Sequence, residues 1–581
     1  MSEFLPNPNQ TTEEQPLNCY KLNSAQRKYS FTTDTMDTHT MLSIHDGTPM
    51  DDARQMIYQE IQHCEHRILG LRSQLNMYAS VARLPPEILL QIFAKLTEDG
   101  GFVDSMKCIP ITHVCRRWRS LALDAPALWT NLSSENLLWT TAMLERSKSA
   151  PLTVLMDEMS HRVATPILKH LSRIISLTIE DWSAGELQTL HALIEDNAIV
   201  APQLEVLSLS CDGVLPWSLP STTFQQTHRL NNLFIDSIHI DWSHSPLFRN
   251  LTKLRVKTVL SDGQPTWREL ISALDQMPSL KSLFLDDMLP TSPFDAAHDA
   301  VSTSLPNLQS VVFRRVPALG PVVTFLNHVE LPQDLKVFTI VHVNGCSNRG
   351  EFHEFYDAIN RSLPSAFSRA KYMNVLRKAI GDDDFGTILM ECFATLRDDF
   401  YSKRFNANHE TNPADIGLEL SYSPRACNRP VILVDALDKL KLSSITHLRI
   451  GVYVGYPELL ALLKRLPELQ VIQVFEQATV HLTQALNFFQ PRDAGEESLI
   501  MPKLTEIRVC RDYSPMHRKN SLFTDDTWQD LKAFLEYRQS LQAGLHKLYI
   551  RKCRYVSNEM VEGLKKCVGD LRWDGICTKL R

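Results

Sequence analysis

The 581 residues carry no excess of basic charge: 60 Lys and Arg stand against 67 Asp and Glu, a formal net charge of −7. A chain that follows phosphate backbones needs a basic stripe, so nucleic acid is excluded as the main partner. Nor do the 12 cysteines include a CxxC pair. Scattered thiols such as Cys19, Cys64, Cys108 and Cys211 suit a reducing compartment better than a disulfide framework or a zinc site. No run of about 18 apolar residues occurs, so no membrane-spanning helix and no membrane partner are expected. The opening stretch, MSEFLPNPNQTTEEQPLNCY, has neither the basic start nor the apolar segment of a secretory leader. A cytoplasmic or nuclear location is expected. Catalytic signatures are missing as well: there is no GxSxG elbow, HExxH helix, Walker loop or GxGxxG turn. The chain is expected not to be an enzyme and to need no cofactor or metal.

What is there is enough to fold. A hydrophobic share of 44% supplies a large core, and the length suits several domains or one repeat solenoid. Residues 1–50 are rich in Thr, Asn, Gln, Ser and Asp, and such a composition buries too little apolar surface to offset the entropy of ordering. A disordered tail is expected there. From Asp51 and Asp52, suited to a helix N-terminus, Ile61, Cys64, Ile68, Leu71, Leu75 and Tyr78 follow at spacings of 3, 4, 3, 4 and 3. This predicts an amphipathic heptad helix over 51–80, packed first against its own domain and, as a second reading, self-associating weakly. HisCysGluHis at 63–66 sets two imidazoles on that helix, but Cys64 belongs to the stripe, so no metal site is expected.

Past that helix, ArgLeuProProGluIle at 83–88 starts a new one, with prolines where the first turn tolerates a missing N–H. Leu84, Ile88, Leu89, Ile92, Phe93 and Leu96 repeat at helical spacing, and after a break at AspGlyGly 99–101 a further helix carries Val114, Trp118, Leu121 and Ala122. Three short helices in about fifty residues make a small bundle, whose apolar face needs a partner or the following domain to cover it.

These residues closely resemble an F-box. LPPEILLQIFAKL at 84–96 and ITHVCRRWRSLALDAPALWTNL at 111–132 stand in the family's order and spacing, although the segment 99–110 departs from it. The heptad helix before and LeuGluArgSerLysSerAlaProLeuThr at 144–153 after are similar to F-box proteins abundant in mushroom-forming fungi. The resemblance implies docking, through residues 81–132, onto the Skp-type adaptor of an SCF cullin-RING ubiquitin ligase, and through it to cullin. By position it assigns Leu84, Pro85, Ile88, Leu89, Ile92, Phe93, Leu96, Val114, Cys115 and Trp118 in or beside that interface. About half of them are expected to belong to the bundle's own core.

After a connecting segment at 133–170, the remainder, 171–581, repeats apolar-x-x-apolar-x-apolar. LeuGluValLeuSerLeu at 204–209, LeuAsnAsnLeuPheIle at 230–235, LeuThrLysLeuArgVal at 251–256 and LeuLysSerLeuPheLeu at 280–285 are clear copies, with weaker ones from Ile174, Leu308, Leu335, Ile445, Leu469, Leu504 and Leu545. Start-to-start spacings from Ile174 to Leu335 are 30, 26, 21, 29, 28 and 27 residues, close to leucine-rich repeats. The asparagine expected at position nine is absent; Asp212, Ile238, Val259, Met288 and Val316 stand there. The expected fold is therefore α/β: an N-terminal helix, a small F-box helical bundle and an irregular, degenerate leucine-rich-repeat solenoid. Positions one, four and six should point inward and positions three, five and seven outward.

The segment from about 345 to 430 reads as a helical insertion. Its AspPheGly at 384–386 matches a kinase magnesium motif in letters only, since no phosphate loop or HisArgAsp loop accompanies it, and a solvated acidic turn is expected. On the outward strand positions, Lys253, Arg255 and Lys257 lie between Phe234 and Phe284, a surface suited to an acidic or phosphorylated target protein. The expected function is a non-catalytic adaptor that recruits a target to the ligase. The alternatives are an F-box-like interaction scaffold outside a ligase and, more remotely, an enzyme with its site in the insertion.

Overall fold

The computed structural model describes residues 49–575 except 99–107, 134–135, 158–160, 197–199, 213–216, 225, 258–263, 295–300, 347–348, 366, 379–385, 396–414, 423–438, 452–455, 476, 488–500, 511–524, 552 and 554–555. The expected tail up to residue 48 and the AspAspAspPhe stretch at 382–385 lie outside the described residues. The chain divides into two compact units, Met1–Leu84 and Pro85–Arg581.

The first unit contains helix α1 (Met50–Met77), with Asp51 and Asp52 in its first turn, where negative charge complements the helix dipole. A short 3-10 turn, Ser80–Arg83, follows. Among the described residues nothing covers the heptad stripe expected to pack within its own domain: no residue of α1 is buried, and Ile61, Ile68, Leu71 and Leu75 are 47 to 72% exposed.

The second unit opens with a small bundle of α2 (Pro86–Glu98), α3 (Cys108–Thr112) and α4 (Arg116–Leu123). It then runs directly into a sheet that has 17 strands among the described residues. The expected connecting segment is already part of that sheet: β1 (Asn131–Leu132) pairs parallel with β2 (Leu152–Met156), and α5 (Leu137–Arg146) joins them. Short strand signals such as LeuThrValLeuMet are easily hidden beside a helix, because pairing with a neighbour, not local propensity, stabilises them.

From there the chain adds one parallel strand at a time. The strands are β3 (Ile174–Trp182), β4 (Val206–Cys211), β5 (Asn232–Asp236), β6 (Lys253–Lys257), β7 (Ser282–Asp286), β8 (Ser310–Arg314) and β9 (Val337–Cys346). Each lies beside its predecessor, with one register shift between β2 and β3, one between β3 and β4, and unbroken register from β4 to β9. The inward positions behave as the pattern predicts: Leu204, Leu207 and Leu209, like Leu280, Leu283 and Leu285, are at most 1% exposed. Helices α6 (His161–Leu168), α7 (Ala184–Asp196), α8 (Trp267–Asp275) and α9 (Leu319–His328) return the chain between strands, and the last two bury Leu270, Ile271, Val322 and Phe325. The position-two carbonyl of each repeat accepts from the next: Asn231 N–H donates to Glu205 O, Thr252 to Asn231, Lys281 to Thr252 and Gln309 to Lys281. Backbone, rather than an asparagine ladder, stitches these turns together. At position eight the chain turns through the left-handed region at Asp181, Ser237, Asp287 and Arg315, with φ between 48° and 58°.

The insertion corrects the expectation. Within it Arg349–Ser362 (α10) is the one α-helix among the described residues, with a 3-10 turn at Phe367–Arg369; β10 (Tyr372–Lys378), β11 (Gly386–Phe393) and β12 (Ile416–Tyr422) extend the sheet instead. β12 pairs parallel with β9, β11 pairs antiparallel with both β12 and β10, and β10 hands on in parallel to β13 (His447–Gly451). β14 (Val471–Phe475), β15 (Glu506–Cys510), β16 (Leu545–Arg551) and β17 (Val568–Trp573) complete the sheet in parallel.

Candidate functional site

Helix α2 carries apolar residues around more than one face, and the fold divides them. Leu89 and Phe93, four apart, are completely buried and form the centre of the bundle. Trp118 of α4 lies against Phe93, ring centroids 4.8 Å apart and tilted by 56°. Cys115 caps α4, its sulfur accepting from the Trp118 N–H at 3.5 Å. Leu89, Phe93, Cys115 and most of Trp118 thus explain themselves as internal structure. Leu84, in the first unit, is half-buried.

The other half of the predicted set faces outward. Ile88, Ile92 and Leu96, spaced four apart along one side of α2, are 40, 38 and 51% exposed, and Val114 is 56% exposed. Pro85 is exposed at the start of the helix. Uncovered branched side chains in a row form an apolar ridge of the kind that marks a contact surface, because each would gain about 1.5 to 3 kcal/mol on full burial.

Sequence reasoning gave no role to the side chains that hold this ridge in place. Trp129, 1% exposed, donates its indole N–H to Ala122 O at 2.8 Å and carries the Arg146 guanidinium 4.5 Å above its ring. Arg173 ties the end of α5 to the sheet, donating to Leu144 O, Ala150 O and Ser147 Oγ. The signal for Trp129 was available, since a tryptophan after Pro126 at the end of a helical run needs both a pocket and an acceptor. Cys108 is buried in α3, which pushes its thiol up from the ordinary value and leaves it inert.

The outward sheet positions form a second candidate surface. Phe234, Arg255 and Phe284 lie in register on neighbouring strands, with the Arg255 guanidinium 4.4 Å from the Phe284 ring. Lys253 is exposed, but Lys257 donates to Asp236 at 2.7 Å, so the predicted basic row is partly neutralised. The same row continues along the sheet through Asn374, Arg449 and Gln473, which are buried, and opens again at Arg508, Tyr549 and Arg572. There Arg508, Arg551 and Arg572 lie 5.0 to 5.8 Å from the Tyr549 ring, with Glu506 and Asp570 pairing Arg508 and Arg572. Reading the third and fifth positions of the weaker repeats would have found this cluster.

Among the described residues no group of three or more His, Cys, Asp or Glu is arranged to hold a metal ion. In HisCysGluHis the His66 ring is occupied by the Gln62 carbonyl at 2.7 Å. No helix among the described residues is long and apolar enough to cross a membrane.

A buried Leu-Phe pair under a half-buried Trp118, an exposed Ile-Ile-Leu ridge and a terminal Leu-Trp lie within one short stretch of chain. Residues 81–135 match the F-box-like family model. The chain thus carries an F-box-like domain, whose bounds enclose the ridge, the Phe93–Trp118 contact and Trp129. No curated protein matches the chain.

Proposed function

We propose that this protein is the substrate-recruiting adaptor of an SCF-type cullin-RING ubiquitin ligase. Its F-box-like domain docks on a Skp-type adaptor and its sheet holds a target protein. The observation that carries this reading is the apolar ridge of Ile88, Ile92 and Leu96 with Val114, exposed inside a matched F-box-like domain whose core is complete without them. F-box domains generally bind Skp-type adaptors, and a surface lacking any internal role is what such binding requires. The docking set then narrows to Pro85, Ile88, Ile92, Leu96 and Val114, with Leu89, Phe93 and Cys115 shaping the surface from beneath.

Residues 171–581 are read as a degenerate leucine-rich-repeat solenoid. Supporting this are one parallel strand per repeat, inward positions one, four and six, and the backbone ladder between turns. Targets are recognised on the outward strand positions, where arginines lie among aromatic rings in the middle of the sheet and again at its last strands.

The test is co-purification of the full chain with a Skp-type adaptor and cullin. Ile88→Asp with Ile92→Asp should abolish capture while leaving thermal unfolding unchanged, because both side chains are exposed. Undiminished capture by that folded variant removes the docking assignment. Adaptor capture without cullin favours instead an interaction scaffold acting outside a ligase.

A further inference from the structure

Helix α1 is 28 residues long and buries none of them. Most of its exposed apolar residues fall into one heptad frame, broken at one a position by Arg54, while Met56, Tyr58, Leu69 and Met77 lie outside it. Ile61, Ile68 and Leu75 take the a positions with Arg54, and Met50, Ile57, Cys64, Leu71 and Tyr78 take the d positions. The frame covers the whole helix, which is the repeat a two-stranded coiled coil needs. Charges on the flanking positions decide what the partner is and which way it runs.

The g positions hold Glu60 and Arg67, and the e positions hold Asp51, Glu65 and Arg72. In a parallel pair of identical helices, g contacts e of the next heptad. Glu60 would meet Glu65 of the second copy, and Arg67 would meet Arg72, each twice by symmetry. Every charged contact would be repulsive. In an antiparallel pair, g faces g and e faces e. Placing Met50 opposite Leu75, Ile57 opposite Ile68 and Ile61 opposite Cys64 of the second copy keeps the apolar frame in contact from 50 to 75. That register sets Glu60 against Arg67 and Asp51 against Arg72, again each twice, and leaves Glu65 facing the Tyr58 edge. Asp51 alone is accounted for by the helix dipole; Glu60, Glu65, Arg67 and Arg72 lie too far from the ends for that.

We propose that α1 is a self-association element that pairs antiparallel with α1 of a second copy of this chain. The sole charged residue within the apolar frame, Arg54, falls opposite Leu71, near the ends of the pair, where its long side chain reaches water. A 26-residue overlap is about 39 Å long, enough for a reversible dimer but not for an obligate one. This proposal is independent of the adaptor reading.

Sedimentation equilibrium of the full-length chain tests it. The wild type should show a concentration-dependent monomer–dimer equilibrium, and Ile61→Asp with Ile68→Asp should leave only monomer with an unchanged thermal transition. Glu60→Arg should weaken association about tenfold, because two attractive pairs become two Arg–Arg pairs, and Glu60→Arg with Arg67→Glu should restore it. A wild type that stays monomeric at every accessible concentration overturns the proposal, as does association that survives Ile61→Asp with Ile68→Asp. Tighter association of Glu60→Arg, the parallel outcome, overturns the antiparallel arrangement.

Discussion

Helix α2 and strand β7 use the same kinds of side chain and treat them differently. In the repeat that contains β7, Leu280, Leu283 and Leu285 are all at most 1% exposed, and nothing apolar is left over on the inward side. In α2, Leu89 and Phe93 are buried while Ile88 and Ile92 remain 40 and 38% exposed. A sheet with period two sends its apolar residues to one face, where helices cover them. A bundle of three short helices with period 3.6 has more apolar circumference than its few helices can cover. The spare side of α2 is therefore where a partner is needed, and the inward side of the sheet is where none can enter.

Substitutions across that division should separate stability from binding. Phe93→Ala is predicted to have the largest effect, a loss of about 3–5 kcal/mol from cavity formation plus lost contact with Trp118, read by denaturant unfolding. Leu283→Ala should follow, at about 2–5 kcal/mol. Ile92→Ala, on the same helix as Phe93, should leave stability within about 0.5 kcal/mol and weaken capture of a Skp-type adaptor by about tenfold or more. If Ile92→Ala and Phe93→Ala prove equally destabilising, α2 has no spare face.

Most of the division was legible in the residues. The strand starts at Leu204, Leu230, Leu251, Leu280, Leu308, Leu335, Ile445, Leu469, Leu504 and Leu545 all lead into strands, because three buried positions per repeat leave a pattern that point substitutions scarcely blur. The insertion was misread because HisGluPheTyrAspAlaIle is truly helical and its pattern was extended across strands such as TyrMetAsnValLeuArgLys. What makes the latter a strand is its pairing with β11 and β13, a long-range choice that local periodicity does not encode. At the candidate site, helical spacing put Leu89, Phe93, Ile88 and Ile92 into one set; only the position of Trp118 splits them into core and surface.

The turns between repeats sharpen the comparison further, since they rather than the apolar positions carry backbone strain. Ser237 leaves β5 at φ 58°, with its hydroxyl donating to Asp236 at 2.9 Å and its N–H donating to Lys257 O at 2.8 Å. Ser237→Val should cost about 1–2 kcal/mol, because a branched Cβ opposes the left-handed region, and Ser237→Gly should be close to neutral. Equal losses for both would mean that the hydroxyl, not the backbone, matters at this turn.

The smallest predicted effect lies at the helix that follows these strands. Thr266 caps α8 by accepting from the Glu269 N–H at 3.3 Å, while the Glu269 carboxylate accepts from the Thr266 N–H at 2.8 Å. That backbone hydrogen bond, and then the Thr266 and Ser243 hydroxyls, hold the Glu269 carboxyl below its ordinary value against a smaller desolvation effect. A carboxyl lowered in the folded chain releases its proton more readily there than when unfolded, so the stability it contributes is present above the unfolded pKa of about 4.3 and is lost as pH falls through the folded one. Glu269→Gln should therefore flatten the acid side of the stability profile slightly, and Thr266→Ala should cost about 1 kcal/mol at neutral pH. Adaptor capture should be unchanged in both, because the cap serves the buried face of the sheet and not the ridge on α2.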